Sequence, residues 1–431
     1  MTATPANAGR PRVLFVGRGA PWRGGAGYLV RQKMFLRALT RVAEVTAAMY
    51  GGCAEHAPAG VAAMGLEKVV AIPEPPLRRE SRWRMLRNDL LRSVPRMMRG
   101  RDLEQGRAVI EALRPETFDA VVVYRIDTAV WSGLNDRPDL LLDIDDPEHA
   151  RTARRLEKLG LTPDRRSRMD LKKLKAFEQH AASVARVAFV CQAADQARFD
   201  HPQPEVAPNA VDTPEVLPDF TPDPDTLLFV GNLDADLDSP NVEGLLWFVD
   251  HVWPLVRERR PGATLRIGGK ASAVVSRRLE GVSGLDLLGF VDDMAETVRR
   301  AAVNLAPIRF GTGTRIKVLD ALAQGGAVVS TTLGCEGLDV SDGVDVRLAD
   351  GPQAFAAACV ELLEDPAVAR SLGEAGHRLV RERYSTAVHV PELTRRFADL
   401  LNVAVPGSAA LPEAAGTDPA EPEPTAANPT G

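Results

Sequence analysis

Apolar positions along the chain fall into two kinds of run. Short continuous ones are Arg12–Gly17, Asp119–Tyr124, Leu140–Ile144, Val187–Val190, Thr226–Val230, Thr264–Ile267, Leu285–Leu288 and Val303–Ala306. They read as strands apolar on both faces, the pattern of a parallel sheet covered on both sides. Between them, apolar residues recur three and four apart, as at Met34, Leu36 and Leu39, or Leu245, Phe248, Val252 and Leu255. These stretches read as helices, with Trp247 and Trp253 as core. Strand and helix alternate through both halves, which predicts an α/β fold of two doubly wound, Rossmann-like domains.

Between His201 and Pro224 stand seven prolines and few apolar residues, a linker composition. The expected organisation is a first domain at 11–205, a linker at 206–225 and a second domain at 226–384. A terminal helix at 385–402 is placed to cross back onto the first domain. From Val403 to Gly431 no periodicity survives, and that tail is expected to be disordered.

Composition narrows the function. With 53 basic and 58 acidic residues the net charge is −5 and aromatics are 5%, which argues against a nucleic-acid partner. The four cysteines show no C-x-x-C and no metal-ligand spacing. The first ten residues lack an apolar core and no run suits a membrane span, so a cytoplasmic protein is expected. One stretch departs from this picture. Nine arginines fall between Arg78 and Arg101, with Trp83, Leu86, Leu90, Val94 and Met97 at helical spacing. Such a face suits an anionic membrane surface or a lipid-linked acceptor at the inner face of the membrane, and equally a helix packed on its own domain.

The candidate chemistry centres on Val303 to Ser330. A buried strand leads into Gly311-Thr312-Gly313-Thr314, and a helix opens near Arg315. Backbone N–H groups at a helix start, with the positive end of its dipole, form a ready anion site. Arg315 and Lys317 lie in the first turn, where a cation is disfavoured unless an anion compensates it. Asp320 lies one turn on, a short acceptor for sugar hydroxyls. A solvated Lys317–Asp320 pair at i,i+3 remains the alternative. Near the amino terminus, Gly17-x-Gly19 meets Trp22 where a dinucleotide fingerprint needs glycine, so that motif fails.

The run Pro307-x-x-x-Gly-Thr-Gly-Thr-Arg-Ile-Lys-Val-Leu-Asp-Ala-Leu-Ala-x-Gly, followed by Val328-Val-Ser-Thr-x-x-Gly334-x-Glu336-Gly-Leu338, resembles the donor-site signature of retaining GT-B glycosyltransferases of the family 4 type. The resemblance runs from Leu227 to Tyr384, more loosely through the first half. It implies two domains facing a central cleft and a nucleotide-sugar donor with no other cofactor. It implies that Gly311 to Thr314, Arg315 and Lys317 bind and stabilise the leaving diphosphate, that Asp320 holds the ribose, and that Gly231, Asn232 and Glu336 line the donor. On the acceptor side it points to Gly24-Gly25 in the first glycine loop and to the Asp-rich turn at Asp143–His149, with Asp145 and His149 as acceptor candidates. Asp146, before Pro147, reads as a helix cap.

Departures from the signature are Ala210 in the Pro208-Asn-Ala-Val-Asp212 segment, Thr386 after Tyr384-Ser385, and Thr312. The family's two glutamates seven residues apart correspond here to Thr312 and Asp320. The expected activity is transfer of a sugar from a nucleotide-diphosphate sugar to a lipid-linked or saccharide acceptor, with retention and without metal, since helix amides and fixed cations can stabilise the leaving phosphate. The contrasting expectation is a non-catalytic nucleotide-sugar-binding protein on the same fold. An epimerase would need acid–base carboxylates and a histidine beside the phosphate turn, and none stands there.

Overall fold

The computed structural model describes residues 9–23, 27–51, 58–77, 95, 101–158, 160, 162–200, 202–234, 239–291, 293–311 and 315–405. Seven strands build the first sheet: β1 Arg12–Arg18, β2 Glu44–Tyr50, β3 Lys68–Ile72, β4 Ala120–Tyr124, β5 Leu140–Asp145, β6 Val187–Val190 and β7 Glu205–Val206. They are ordered β3-β2-β1-β4-β5-β6-β7, all parallel in register. Six more form the second: β8 Asp223–Val230, β9 Thr264–Gly268, β10 Leu285–Gly289, β11 Ala301–Ala306, β12 Val328–Ser330 and β13 Arg347–Leu348. Their order is β10-β9-β8-β11-β12-β13, again all parallel.

Each sheet thus reverses its strand order once, between β1 and β4 and between β8 and β11. At such a reversal the loops leave the carboxyl ends in opposite directions and open a crevice. The central strands are dry because both faces are apolar. Val13 to Val16 and Val121 to Val123 are buried, as are Leu227 to Phe229.

The chain crosses between the two sheets twice, side by side. Val211 N–H donates to the Tyr384 carbonyl at 2.9 Å, and Thr386 N–H returns to the Val211 carbonyl at 3.0 Å. The Thr386–Leu401 helix then packs on the first domain, where Phe397 meets Phe35 and Phe189 edge to face at 5.8 and 6.1 Å.

Four local expectations are corrected. The helix starting at Pro240 is not uniform: between Pro240–Trp247 and Trp253–Arg259 the turn widens to a π-helical segment at Phe248–Val252. Pro254 has no N–H to continue the regular ladder there, which explains the widening. The start of the Glu148–Lys158 helix is not capped by Asp146. Its Glu148 and His149 amides donate to the Glu178 carboxylate at 2.8 and 3.1 Å. The ends of the proline-rich run are strand, since Val206 pairs in β7 and Asp223 in β8. Val403 and Val405 pack against the first domain's core. Residues 406–431 lie outside the described residues, as does the arginine-rich stretch apart from Pro95 and Arg101.

Candidate functional site

The crevice between β8 and β11 is where the second domain gathers its unusual groups. β11 exits through Pro307 to Gly311, and the Ile316–Ala323 helix begins after Arg315. Gly311 sits at φ +115°, a backbone state that side chains rarely adopt. Thr312, Gly313 and Thr314 lie outside the described residues.

Lys317 points inward, not to solvent. Its Nζ donates to Asn241 Oδ1 at 2.6 Å and lies 4.5 Å from the centre of the Phe229 ring. No carboxylate pairs with it among the described residues, so the expected alternative, a Lys317–Asp320 pair, is not formed. Burial, with repulsion from Arg315 second, lowers the Lys317 ammonium to about 7. Asn241 is seated beside Gly231, where an added Cβ would stand 3.1 Å from the Asn241 side chain. Asn232 turns its Oδ1 back to the Asp234 amide at 3.1 Å.

Arg315 is held nearly flush with the protein. Its Nε donates to the Leu333 carbonyl at 3.4 Å, and its guanidinium folds over Gly311. Burial lowers its pKa; Asp146 and Glu336 oppose that, and Arg154 adds to it. Asp320 faces the crossing point of the domains. Its pKa is raised to about 7 by burial and then by Asp212, against Lys33. Asp212 itself would be raised by burial, yet hydrogen bonds from Arg37 and Lys33 hold it at about 2. Thr386, which replaces the resembling family's tryptophan, donates its hydroxyl to Asp212 at 2.9 Å.

On the first domain's side, Gly24 and Gly25 lie outside the described residues, but Gly27 opens the Gly27–Val42 helix directly against the donor-side helix. A Cβ on Gly27 would come within 3.1 Å of Ile316. The two acceptor candidates turn inward. Asp145, at φ +63°, accepts from Tyr124 Oη at 2.9 Å and lies 3.4 Å from Arg31 Nε. Arg31 is fully buried and grips Asp143 through Nε and Nη2. The His149 ring bonds through Nδ1 to buried Glu178 at 2.5 Å and packs on Phe199.

Comparison with known proteins adds a name to the crevice. Residues 224–365 match the model of the family described as Glycosyl transferases group 1. That match lies within the second domain and takes in its β8–β11 crevice. A Klebsiella pneumoniae protein described as an uncharacterized 44.6 kDa protein in the cps region is 24% identical over 168 residues, 37% of this chain and 42% of that protein. Sucrose-phosphate synthase from Thermosynechococcus elongatus is 15% identical, with a TM-score of 0.64 over 91% of this chain and 100% of its own. Anabaena HepE in complex with UDP-glucose is 12% identical, at 0.59 over 90% and 100%. S. aureus TarM, in a complex with UDP, α-GlcNAc-glycerol and fondaparinux, is 14% identical, at 0.53 over 68% and 58%. The chain therefore spans about two fifths of the Klebsiella relative's length and under three fifths of TarM's. Its two Rossmann-like domains have the GT-B fold.

Several groups around the crevice carry no local sequence signal. Asn241 stands 76 residues from the Lys317 it holds. Arg154, 182 residues from Glu336, reaches over from the first domain. The folding of the second domain brings Asn241 to Lys317, and the packing of the two domains brings Arg154 to Glu336.

Proposed function

We propose that the chain transfers a sugar from a nucleoside-diphosphate sugar to a saccharide or lipid-linked hydroxyl, with retention at the anomeric carbon. The observation that carries this reading is Lys317: a buried ammonium with no carboxylate partner among the described residues, at the crevice where an open α/β sheet takes its ligands. A diphosphate supplies the missing anion. Arg315, half a turn earlier, and the helix start add to the same field.

In the transfer, the bond from the anomeric carbon to the diphosphate oxygen breaks and a bond to the acceptor oxygen forms. The acceptor's proton leaves with the departing phosphate. Lys317 and Arg315 stabilise the charge that grows on that phosphate, which acts in the transition state more than in the ground state. Asp320 accepts hydrogen bonds from the ribose. The chain's own cations are proposed to suffice without a metal ion, so a chelator should leave the rate unchanged.

A thermal-shift screen of UDP-, GDP-, ADP- and dTDP-sugars tests the reading, since a ligand bound only by the folded state raises Tm. Positive hits should then release nucleoside diphosphate on incubation. Tight binding with no release under any acceptor would make the chain a sensor and not a transferase.

A further inference from the structure

Two side chains of the first domain reach into the second domain's half of the site. Arg154, on the Glu148–Lys158 helix, donates from Nη1 to the Gly311 carbonyl at 3.1 Å and from Nη2 to Glu336 Oε1 at 2.9 Å. Nη1 makes a further contact with Glu336 Oε2. Beside it, Gln192 lies against Gly337. An added Cβ there would fall 2.2 Å from Gln192 Oε1, and φ is +81°, a backbone state that favours glycine at this close approach of the domains. Gln192 is in turn steadied by its Nε2 bond to Asp195 Oδ2 at 2.7 Å, and Asp195 is fully buried.

Gly311 is thus gripped twice, by Arg154 at its carbonyl and by Arg315 over its Cα. The two guanidiniums stand close enough to repel each other, and Glu336 compensates them both. A two-pronged guanidinium–carboxylate pair demands a defined geometry, unlike a loose surface ion pair. That geometry exists only while the two domains are closed on each other.

We propose that Arg154 is a positioning residue lent to the donor site by the opposite domain: held by Glu336, it fixes the Gly311 carbonyl directly and thereby couples domain closure to transfer. This rests on the donor-site reading above. Glu336, in this account, serves as the second half of the clasp and does not contact the sugar.

The expected consequences separate closure from binding. Arg154→Glu should widen the molecule in small-angle X-ray scattering, with a larger radius of gyration than the wild type at equal Tm. UDP affinity by calorimetry should stay within about threefold, because the nucleotide's contacts lie in the second domain. The kcat for transfer should fall by at least about tenfold, with a smaller change in donor KM. Arg154→Lys, which keeps the charge and loses the fork, should fall between them. The reversed pair Arg154→Glu/Glu336→Arg should recover compactness without recovering kcat, because a carboxylate at 154 cannot donate to the Gly311 carbonyl.

Unchanged scattering in Arg154→Glu, or a double variant no more compact than either single one, would overturn the clasp. The scattering arm needs no turnover. If the wild type proves inactive on every nucleotide-sugar, a compact wild type and an expanded Arg154→Glu still support the clasp while the transferase reading fails separately.

Discussion

Replacing Lys317 with methionine tests the charge logic of the crevice. Methionine keeps the length and the contact with Phe229 but removes the ammonium and its bond to Asn241. In the ligand-free protein this relieves a strain. The Lys317 ammonium titrates at about 7 against an ordinary value of 10.5. A base whose folded pKa is depressed adds stability that is present above pH 10.5 and lost as pH falls through about 7. Lys317→Met should therefore raise Tm at pH 7, and the gain should shrink toward pH 10.

Binding should move the other way. One charge-assisted contact to phosphate contributes about 1.5–3 kcal/mol, so UDP affinity should drop by about tenfold to a hundredfold at pH 7. The wild type must also take up a proton to bind. At pH 7 the ammonium is about half formed, and above that each pH unit should cost close to tenfold in affinity. The methionine variant lacks that dependence, and comparing the two cancels the ligand's own ionisation. Isothermal titration in two buffers of different ionisation heat reads the proton uptake directly. Equal affinity in the two proteins across pH 7–9, or no difference in proton uptake, would refute the assignment of Lys317 to the diphosphate.

Asp320 supplies the complementary limb. Its carboxyl is raised to about 7 from 3.8, so it adds stability below pH 3.8 that is lost as pH rises through about 7. Asp320→Asn should be more stable than the wild type at pH 8, with the gap closing by pH 5 in thermal melts. The same change should weaken UDP severalfold at pH 8 yet leave pyrophosphate binding unchanged, because pyrophosphate has no ribose; equal losses for both ligands would end the ribose assignment. Truncation after Pro406 should leave Tm and UDP affinity unchanged, since packing on the first domain's core is already made by Phe397, Val403 and Val405; a clear fall in Tm would contradict this. The arginine-rich stretch predicts co-sedimentation with anionic lipid vesicles at low salt, lost in Arg82→Glu/Arg87→Glu/Arg92→Glu; a wild type that stays in the supernatant rules out membrane contact there. Arg101, at its end, is spoken for, with its guanidinium 4.9 Å from the Trp131 ring and a bond to the Pro75 carbonyl.

What could be read from the chain was what lies close together in it. The strand runs, and the helix bearing Arg315, Lys317 and Asp320, follow from local period and from a motif within a single βαβ unit. The state of those residues did not. Lys317 takes its partner from Asn241 on the Pro240–Trp247 helix, and its lowered pKa comes from burial there beside the Phe229 ring, which no local pattern records. Asp145 and His149 stand where an acceptor site was expected, and there Asp145 Oδ2 and His149 Nδ1 are bonded to Tyr124 and Glu178, 21 and 29 residues away. The cap expected from Asp146 is supplied by Glu178 because the Arg165–Val184 helix lies against the turn. Arg154 was invisible for the plainest reason: its partners belong to another domain.

The β8–β11 crevice is expected to deliver a nucleotide-sugar to reaction. Incubating the full chain with UDP-, GDP-, ADP- and dTDP-sugars, and following nucleoside-diphosphate release, tests that most directly. One class of nucleotide-sugar should be turned over, with slow hydrolysis even when no acceptor is supplied. Absence of release from every nucleotide-sugar, together with no shift in Tm, would contradict it.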